Sequence, residues 1–266
     1  MKPLKTTGSR IITIASGKGG VGKTWVSTTL CHLFASQGNR TLLFDGDLGL
    51  ANVDIQLGLL PEVDLGQVLS GAITLDQAIT PFDMGHSATG KGQATMGKGQ
   101  GVFDVISGQS GSGSLASLKK ERLTRLNQDL VTLSRQYDLT IMDLGAGVET
   151  SVMTLCEMSD KIIVVVTADP TSLTDAYAFI KLNHRRDPDM NLAILVNMVE
   201  DRHEGLRTYE TLKKVCESFL KFTPEYLGAV RRDKHVVDAI RHQKPLMQRH
   251  PKSLAGEDML EIAKKV

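Results

Sequence analysis

Short runs of apolar, often β-branched residues alternate along this chain with longer segments of helical pattern. The runs lie at Ile11–Ala15, Thr41–Phe44, Val102–Ile106, Leu139–Met142, Lys161–Thr167, Leu192–Val196 and Tyr226–Val230. A strand with one face in water would alternate polar and apolar residues, so continuous apolar runs predict strands buried on both faces of a parallel sheet. With right-handed crossovers, the pattern predicts an α/β fold, a doubly wound and mostly parallel sheet with helices on both faces.

Helical patterns occupy the intervals between these runs. We predict helices at residues 23–37, 115–136, 171–183, 204–221, 234–242 and 257–265, and two short helices within 62–80. In the second of these helices, the apolar residues that recur at helical spacing are Leu115, Leu118, Leu126, Leu130 and Leu133. We expect residues 1–266 to form a single domain without internal repeats.

One segment breaks the alternation. Residues 85–101 contain glycine every few positions and no apolar periodicity, a composition typical of a mobile surface loop. A tolerated insertion is one interpretation. A partner contact through Lys91 and Lys98 is the other.

Composition excludes several classes of function. The chain has 266 residues, with 31 Lys and Arg against 30 Asp and Glu, which argues against a chain-wide polybasic nucleic-acid binder. Its three cysteines, Cys31, Cys156 and Cys216, are far apart, so a disulfide framework or a zinc site is not expected. No apolar run approaches the roughly 20 residues of a membrane span, and residues 1–10 lack the apolar segment of a signal peptide. We therefore expect a cytoplasmic protein.

The strongest motif is Gly17-Lys-Gly-Gly-Val-Gly-Lys23-Thr24, which fits G-x-x-x-x-G-K-[ST]. A predicted strand precedes it and a predicted helix follows, as such a loop requires. Its glycines let backbone N–H groups converge on phosphate oxygens, and the helix N-terminus adds a positive dipole. We expect Lys23 to reach the β- and γ-phosphates of ATP or ADP and Thr24 to bind Mg²⁺. The alternative is a glycine-rich turn that binds nothing.

Aspartates end two other predicted strands. Asp45 and Asp47 follow the second strand, and Asp143 ends the run Leu139–Met142 before Gly145. Carboxylates at the carboxyl ends of parallel strands face the ligand crevice. We assign Asp45 and Asp143 to the metal environment and Asp47 to the attacking water, while an Asx turn remains the alternative for Asp45.

The early lysine of the loop, Lys18, is not needed to cradle phosphate within one subunit. The segment Lys18-Gly-Gly-Val-Gly-Lys-Thr24 resembles the deviant Walker A loop of the MinD/ParA ATPases. The resemblance implies nucleotide contacts by Gly17, Lys18, Gly19, Gly20, Val21, Gly22, Lys23, Thr24 and Trp25. It also implies an ATP-dependent sandwich dimer in which Lys18 acts on the partner's nucleotide, with Lys18, Lys23 and Asp47 as catalytic residues.

Later residues narrow the resemblance. Asn197 occupies the place of the family's base-reading asparagine, and the segment containing Arg231 and Asp233 resembles the one that closes over the base. The chain most resembles the FlhG/FleN-type flagellar-number regulators. It departs from them because residues 1–10 do not match that type's N-terminal activating motif. The C-terminal helix lacks the aromatic residues of a membrane-binding helix, so we expect it to pack on the sheet.

These features predict a slow ATPase switch that controls the position or number of a cellular structure, such as a flagellum or another polar assembly. A flagellar or polar-assembly protein would be its partner, at the inner membrane or cell pole. A ParA-like ATPase that binds nonspecific DNA through the basic region 231–252 is the alternative. A metabolic ATP-dependent ligase is a third interpretation, although the sequence shows no second substrate site.

Overall fold

The computed structural model describes residues 9–47, 51–85, 101–108 and 120–266. The strands are β1 Arg10–Ala15, β2 Arg40–Gly46, β3 Ile79–Pro81, β4 Val102–Ile106, β5 Leu139–Leu144, β6 Lys161–Val166, β7 Leu192–Val199 and β8 Glu225–Arg231. The helices are α1 Lys23–Ser36, α2 Val53–Leu57, α3 Leu65–Ser70, α4 Lys120–Ser134, α5 Thr150–Cys156, α6 Pro170–Arg186, α7 Arg202–Leu220, α8 Lys234–Arg241, α9 Leu246–Arg249 and α10 Leu254–Ala263. A short 3₁₀ helix spans Asp76–Ala78.

The strands form one eight-stranded sheet in the order β3-β4-β2-β5-β1-β6-β7-β8. All neighbouring strands are parallel except β3, which pairs antiparallel with β4 at the edge. The predicted doubly wound, mostly parallel sheet is confirmed.

Both faces of the sheet carry a core, because successive strand residues point to opposite sides. In β1, Ile11 belongs to the core beneath α4 to α7, whereas Ile12 belongs to the core shared with α1 and α10. The C-terminal helix packs on the second face as expected, with Met259 and Ile262 buried. Within the described residues, no helix has the length and apolarity to cross a membrane.

The prediction of two short helices within 62–80 was wrong for the last residues of that range. Helix α3 and the 3₁₀ helix form, but Ile79–Pro81 is strand β3. Three residues are too few to show a period, and pairing with β4 decides their conformation. Pro81 lacks an N–H and is tolerated because β3 is an edge strand. Leu115, Leu118 and residues 86–100 lie outside the described part of the chain.

The topology places the predicted motifs at one edge of the sheet. Strand β1 lies centrally, between β5 and β6, and the chain order reverses around it. Such a switch point opens a crevice at the carboxyl ends of the strands. Asp45 at the end of β2 is directly in register with Asp143 at the end of β5.

Candidate nucleotide-binding site

The phosphate-loop candidate, residues 17–24, connects β1 to α1. Gly20 and Gly22 have φ values of 77° and 93°, a left-handed conformation that favours glycine, and Gly22 is the N-cap of α1. A Cβ atom added to Gly19 or Gly20 would have nothing within 4 Å, so the tip of the loop stays open. Gly17 is different, because its added Cβ would collide with the backbone of α6.

An open cavity of about 680 Å³ lies over this loop. Its walls come from the loop, the segments after β2 and β5, the end of β7 and the β8–α8 connection. The predicted site residues that line it are Gly19, Gly20, Gly22, Lys23, Thr24, Trp25, Asp47, Asn197, Arg231 and Asp233. The predicted residues Gly17, Lys18, Val21, Asp45 and Asp143 are not among its lining residues.

Lys23 is buried at the base of the cavity, with 8% of its surface exposed. Burial lowers its pKa, and the carboxylates of Asp143 and Asp47 oppose that shift. A desolvated ammonium group between two carboxylates interacts strongly with any further anion, because little water screens it. This position suits the phosphate contact predicted for Lys23.

Asp143 is buried beside the start of α1. Its carboxylate accepts hydrogen bonds from the hydroxyls of Thr24 and, at 3.1 Å, of Ser27. Burial raises the pKa of Asp143 to about 6, and the hydrogen bond from Thr24 and the charge of Lys23 oppose the shift.

The Thr24 hydroxyl and the Asp143 carboxylate therefore place two oxygen donors together at the loop. Mg²⁺ prefers oxygen ligands and usually takes only one or two from protein, keeping water and substrate phosphate for the rest. Among the described residues no group of three His, Cys, Asp or Glu forms a complete metal cage. The residues present thus fit a Mg²⁺ ion that arrives with a phosphate.

Asp45 has a different environment. Its oxygens accept hydrogen bonds from the backbone N–H groups of Asp47 at 3.1 Å and of Asn52 and Val53 at 3.2 Å. Burial raises the pKa of Asp45 to about 8, and the charge of Asp143 adds to the shift. These contacts favour the Asx-turn interpretation over a metal ligand, because the carboxylate holds the chain that leads into α2.

Asp47 lies where the segments after β2 and β5 meet. A Cβ atom on Gly145 would lie 3.4 Å from the carboxylate oxygen Oδ1 of Asp47. Because 3.4 Å is an ordinary van der Waals distance, Gly145 and Asp47 are close neighbours at the wall of the cavity. The role of Asp47 in orienting the attacking water stays a prediction.

Lys18 does not line the cavity of its own chain. Its ammonium group forms an ion pair of 3.0 Å with Asp169 and donates a hydrogen bond to the Thr171 hydroxyl, both at the start of α6. The Lys18 side chain is 39% exposed. Asp169 was missed in the sequence, since it carries no phosphate-site motif and meets Lys18 only through the fold.

Asn197 is almost fully buried, with 3% of its surface exposed. Its amide N–H donates to the carbonyl of Val21 at 2.8 Å, and its amide oxygen accepts from the backbone N–H of Met198 at 2.9 Å. Asn197 therefore links the phosphate loop to β7, a contact that sequence reasoning did not predict. Met198 adopts a left-handed φ of 60°, which is costly for a methionine, and its side chain lines the cavity.

Arg231 and Asp233 line the cavity at the end of β8, three strands away from β1. The Arg231 guanidinium binds Asp258 of α10, with hydrogen bonds of 2.8 and 2.9 Å. Asp233 caps α8 by accepting the backbone N–H of His235 at 2.9 Å. Their side chains thus hold helices, while their segment forms the cavity wall.

The basic region 231–252 is partly neutralised within the fold. Arg231 pairs with Asp258, and Arg249 pairs with Asp238 at 2.5 Å. His250 also contacts Asp238, at 2.6 Å. The described ion pairs do not include the five remaining basic residues Arg232, Lys234, Arg241, Lys244 and Lys252.

Comparison with known proteins identifies a nucleotide-binding family, which agrees with the phosphate loop and the cavity over it. Residues 12–246 match the CbiA family, the CobQ/CobB/MinD/ParA nucleotide-binding domain. The antiactivator FleN of Pseudomonas aeruginosa is 33% identical over 257 residues, which cover 97% of this chain and 86% of FleN. The flagellum site-determining protein YlxH of Helicobacter pylori is 30% identical over 257 residues, covering 96% of this chain and 81% of YlxH.

Solved structures share the fold. A chain of the MinC:MinD cell division complex of Aquifex aeolicus matches with a TM-score of 0.73 and 23% identity, over 97% of this chain and 95% of that one. MinD of Pyrococcus horikoshii, complexed with Mg-ADP, matches with a TM-score of 0.71 and 21% identity, over 96% and 95% of the two chains. The family match begins within β1 and ends at the start of α9, and so takes in every segment that lines the cavity. On this evidence the chain belongs to the MinD/ParA family of ATPases, as a relative of the antiactivator FleN and of the flagellum site-determining protein YlxH.

Proposed function

We propose that this protein is an ATP-driven dimerising switch that sets the position or number of flagella or of another polar assembly. The observation that carries the proposal is the division between the two lysines of the loop. Lys23 lies buried under the cavity, whereas Lys18 is on the surface and outside the cavity of its own chain. A lysine so placed can reach a second subunit when it exchanges Asp169 and Thr171 for the partner's nucleotide.

In this proposal the chain's residues act by position and charge. Phosphoryl transfer asks a protein mainly to hold the phosphates and neutralise charge. The open loop tip and Lys23 hold the β- and γ-phosphates, Thr24 and Asp143 hold Mg²⁺, and Asp47 orients the attacking water. When bound, Mg²⁺ supplies positive charge for the developing negative charge on the phosphate oxygens.

The switch itself resides in the segments after β2 and β5. Asp47 and Gly145 meet at the cavity wall, so a γ-phosphate in the cavity is sensed by both segments at once. Segments ordered by a γ-phosphate relax after hydrolysis, which changes the surface that a partner recognises. The functional product is then the altered surface rather than ADP.

The flagellar part of the proposal comes from the relatives. FleN is an antiactivator, YlxH determines the flagellum site, and MinD of Bacillus subtilis, 27% identical over 259 residues, determines the septum site. The names of YlxH and MinD both describe the determination of a site. We propose a cytoplasmic protein that acts at the inner membrane or cell pole with a flagellar or polar-assembly partner.

The deciding experiment measures solution mass by light scattering. The Asp47→Ala variant, in which ATP should persist, is measured with ADP and then with ATP, and the Lys18→Ala/Asp47→Ala double variant is the matched control. We expect ATP to double the mass of the single variant and to leave the control monomeric. An unchanged mass despite bound ATP would refute the dimerising switch.

Nucleotide binding is tested separately. Lys23→Ala should abolish tight binding of ATP, because the buried ammonium group at the phosphates is lost. Lys18→Ala is the control and should bind ATP as the wild type does in the monomer. Retained ATP affinity in Lys23→Ala would contradict the assignment of the phosphate site.

A further inference from the structure

Asp258 is a buried acid in the middle of α10, with 2% of its surface exposed. It is not among the residues that line the nucleotide cavity. An ionised carboxylate is removed from water at considerable cost and needs hydrogen-bonded partners of opposite charge. The partners of Asp258 therefore indicate what this residue is for.

Most of these partners lie on one residue of the cavity wall. Asp258 Oδ2 accepts the backbone N–H of Arg231 at 2.9 Å and its guanidinium Nε at 2.8 Å, and Oδ1 accepts Nη2 at 2.9 Å. The carboxylate thus holds both the main chain and the side chain of Arg231. Arg202, at the start of α7, adds a further bond to Oδ1 at 2.9 Å.

A second link joins α10 to the same segment. The carboxylate of Asp233 accepts the backbone N–H of Ala255, in the first turn of α10, at 3.2 Å. Between these two links, the backbone N–H of Arg232 donates to the carbonyl of Val199 in β7 at 2.7 Å. The wall segment 230–233 is therefore held from behind, by α10 and β7, while its other side faces the cavity.

The position of the segment 230–233 matters for the base of a bound nucleotide. In the sheet, β8, which leads into the segment 230–233, lies three strands from β1, which leads into the loop at residues 17–24. With neighbouring strands about 4.8 Å apart, the segment and the loop are roughly 14 Å from each other. A nucleotide with its phosphates on the loop has its base directed to a different wall. A shift of the segment should therefore change the base contacts and leave the phosphate contacts intact.

We propose that Asp258 is a positioning residue for the base end of the site, which it serves by holding the segment 230–233 through Arg231. The inference rests on the proposed nucleotide site. Asp258 does not touch the nucleotide. It sets the distance between the segment and the base, and so contributes to affinity for the nucleoside part of the ligand.

The test compares a ligand that has a base with one that lacks it. Dissociation constants of Mg-ADP and Mg-pyrophosphate, the latter by competition, are measured for the wild type and for Asp258→Asn, which keeps the shape and removes the charge. Loss of charge-assisted hydrogen bonds to Arg231 should weaken ADP binding about tenfold. Pyrophosphate affinity should stay within about twofold, because the loop is unaltered.

Glu261→Gln is the matched control. Glu261 is the exposed partner of Arg202 at 3.0 Å, and it makes no described bond to Arg231. Its removal should leave both affinities unchanged. If Asp258→Asn does not fold, Asp258→Glu keeps the charge and leaves the cavity-lining Arg231 in place, while its longer side chain displaces the segment 230–233. The same selective loss of ADP affinity is expected.

Two results would overturn the proposal. Equal loss of ADP and pyrophosphate affinity would assign Asp258 a general structural role, and unchanged affinity for both would show that the segment needs no such support. A wild-type protein that binds neither ligand would instead refute the proposed nucleotide site, so the two failures are distinguishable.

Discussion

A methyl group at Gly17 should destabilise the fold, because it would collide with the backbone of α6. An added Cβ would lie 2.6 Å from the backbone nitrogen of Ala176, and closer still to the carbonyl carbon and oxygen of Asp175. All three atoms belong to the backbone of α6, so no side-chain rotation relieves the clash. Either the loop or α6 must move.

The size of the effect follows from the geometry. Overpacking that forces side chains off their rotamers and shifts the backbone costs typically about 1–3 kcal/mol. Because the clash is with backbone atoms, we expect the upper end of that range, about 3 kcal/mol. For a chain of this size each kcal/mol lowers Tm by roughly 2–4 °C, so Gly17→Ala should lower Tm by roughly 6–12 °C.

Gly19→Ala is the matched control in the same loop. It has nothing within 4 Å of its added Cβ and no positive φ, so its Tm should equal that of the wild type without ligand. Thermal unfolding followed by circular dichroism gives both values. A Gly17→Ala protein whose Tm falls by less than about 2 °C would refute the reasoning, since it would mean that α6 and the loop separate at little cost.

Three other predictions follow from the site. Asp45→Asn should retain Mg²⁺-dependent nucleotide binding, because the Asp45 carboxylate accepts hydrogen bonds from backbone N–H groups. Asp143→Asn should lose Mg²⁺-dependent binding. Titration calorimetry with and without Mg²⁺ measures both, and equal losses would show that Asp45 is a metal ligand. Trp25 is the chain's one tryptophan and lines the cavity, and its indole N–H has no hydrogen-bond partner among the described residues. ADP binding should therefore change the intrinsic tryptophan fluorescence. An unaltered spectrum at saturating ADP would contradict the placement of Trp25 in the nucleotide site. The hydrogen bond from Lys18 lowers the pKa of Asp169 to about 2, so the ion pair is present above the ordinary carboxyl range and is lost as pH falls through about 2. Titration by NMR should show this pKa rising toward its usual value in Lys18→Ala, and an unshifted pKa would show that the pair does not form in solution.

Much of the site was predictable because its signals are local. The G-x-x-x-x-G-K-[ST] spacing and the aspartates that end two apolar runs are read from neighbouring residues. Strand β3 was not predictable, because its three residues take their conformation from pairing with β4. The sequence left Asp45 open between two roles, and the hydrogen bonds from the backbone N–H groups of Asn52 and Val53, which favour the Asx turn, depend on the fold of the chain.

By itself, the sequence determined the parallel sheet, the loop and the two carboxylate-bearing strand ends, since periodicity and motif spacing act over a few residues. Only the tertiary structure decided the partners of the side chains. Lys18 meets Asp169, Asn197 meets Val21, and Arg231 meets Asp258, across separations of 151, 176 and 27 residues. Such contacts depend on which helices and strands pack together, and no local pattern encodes them. The same reason applies to Gly17: its motif predicted only a contact with phosphate, whereas in the fold a glycine is required there because α6 packs directly against it.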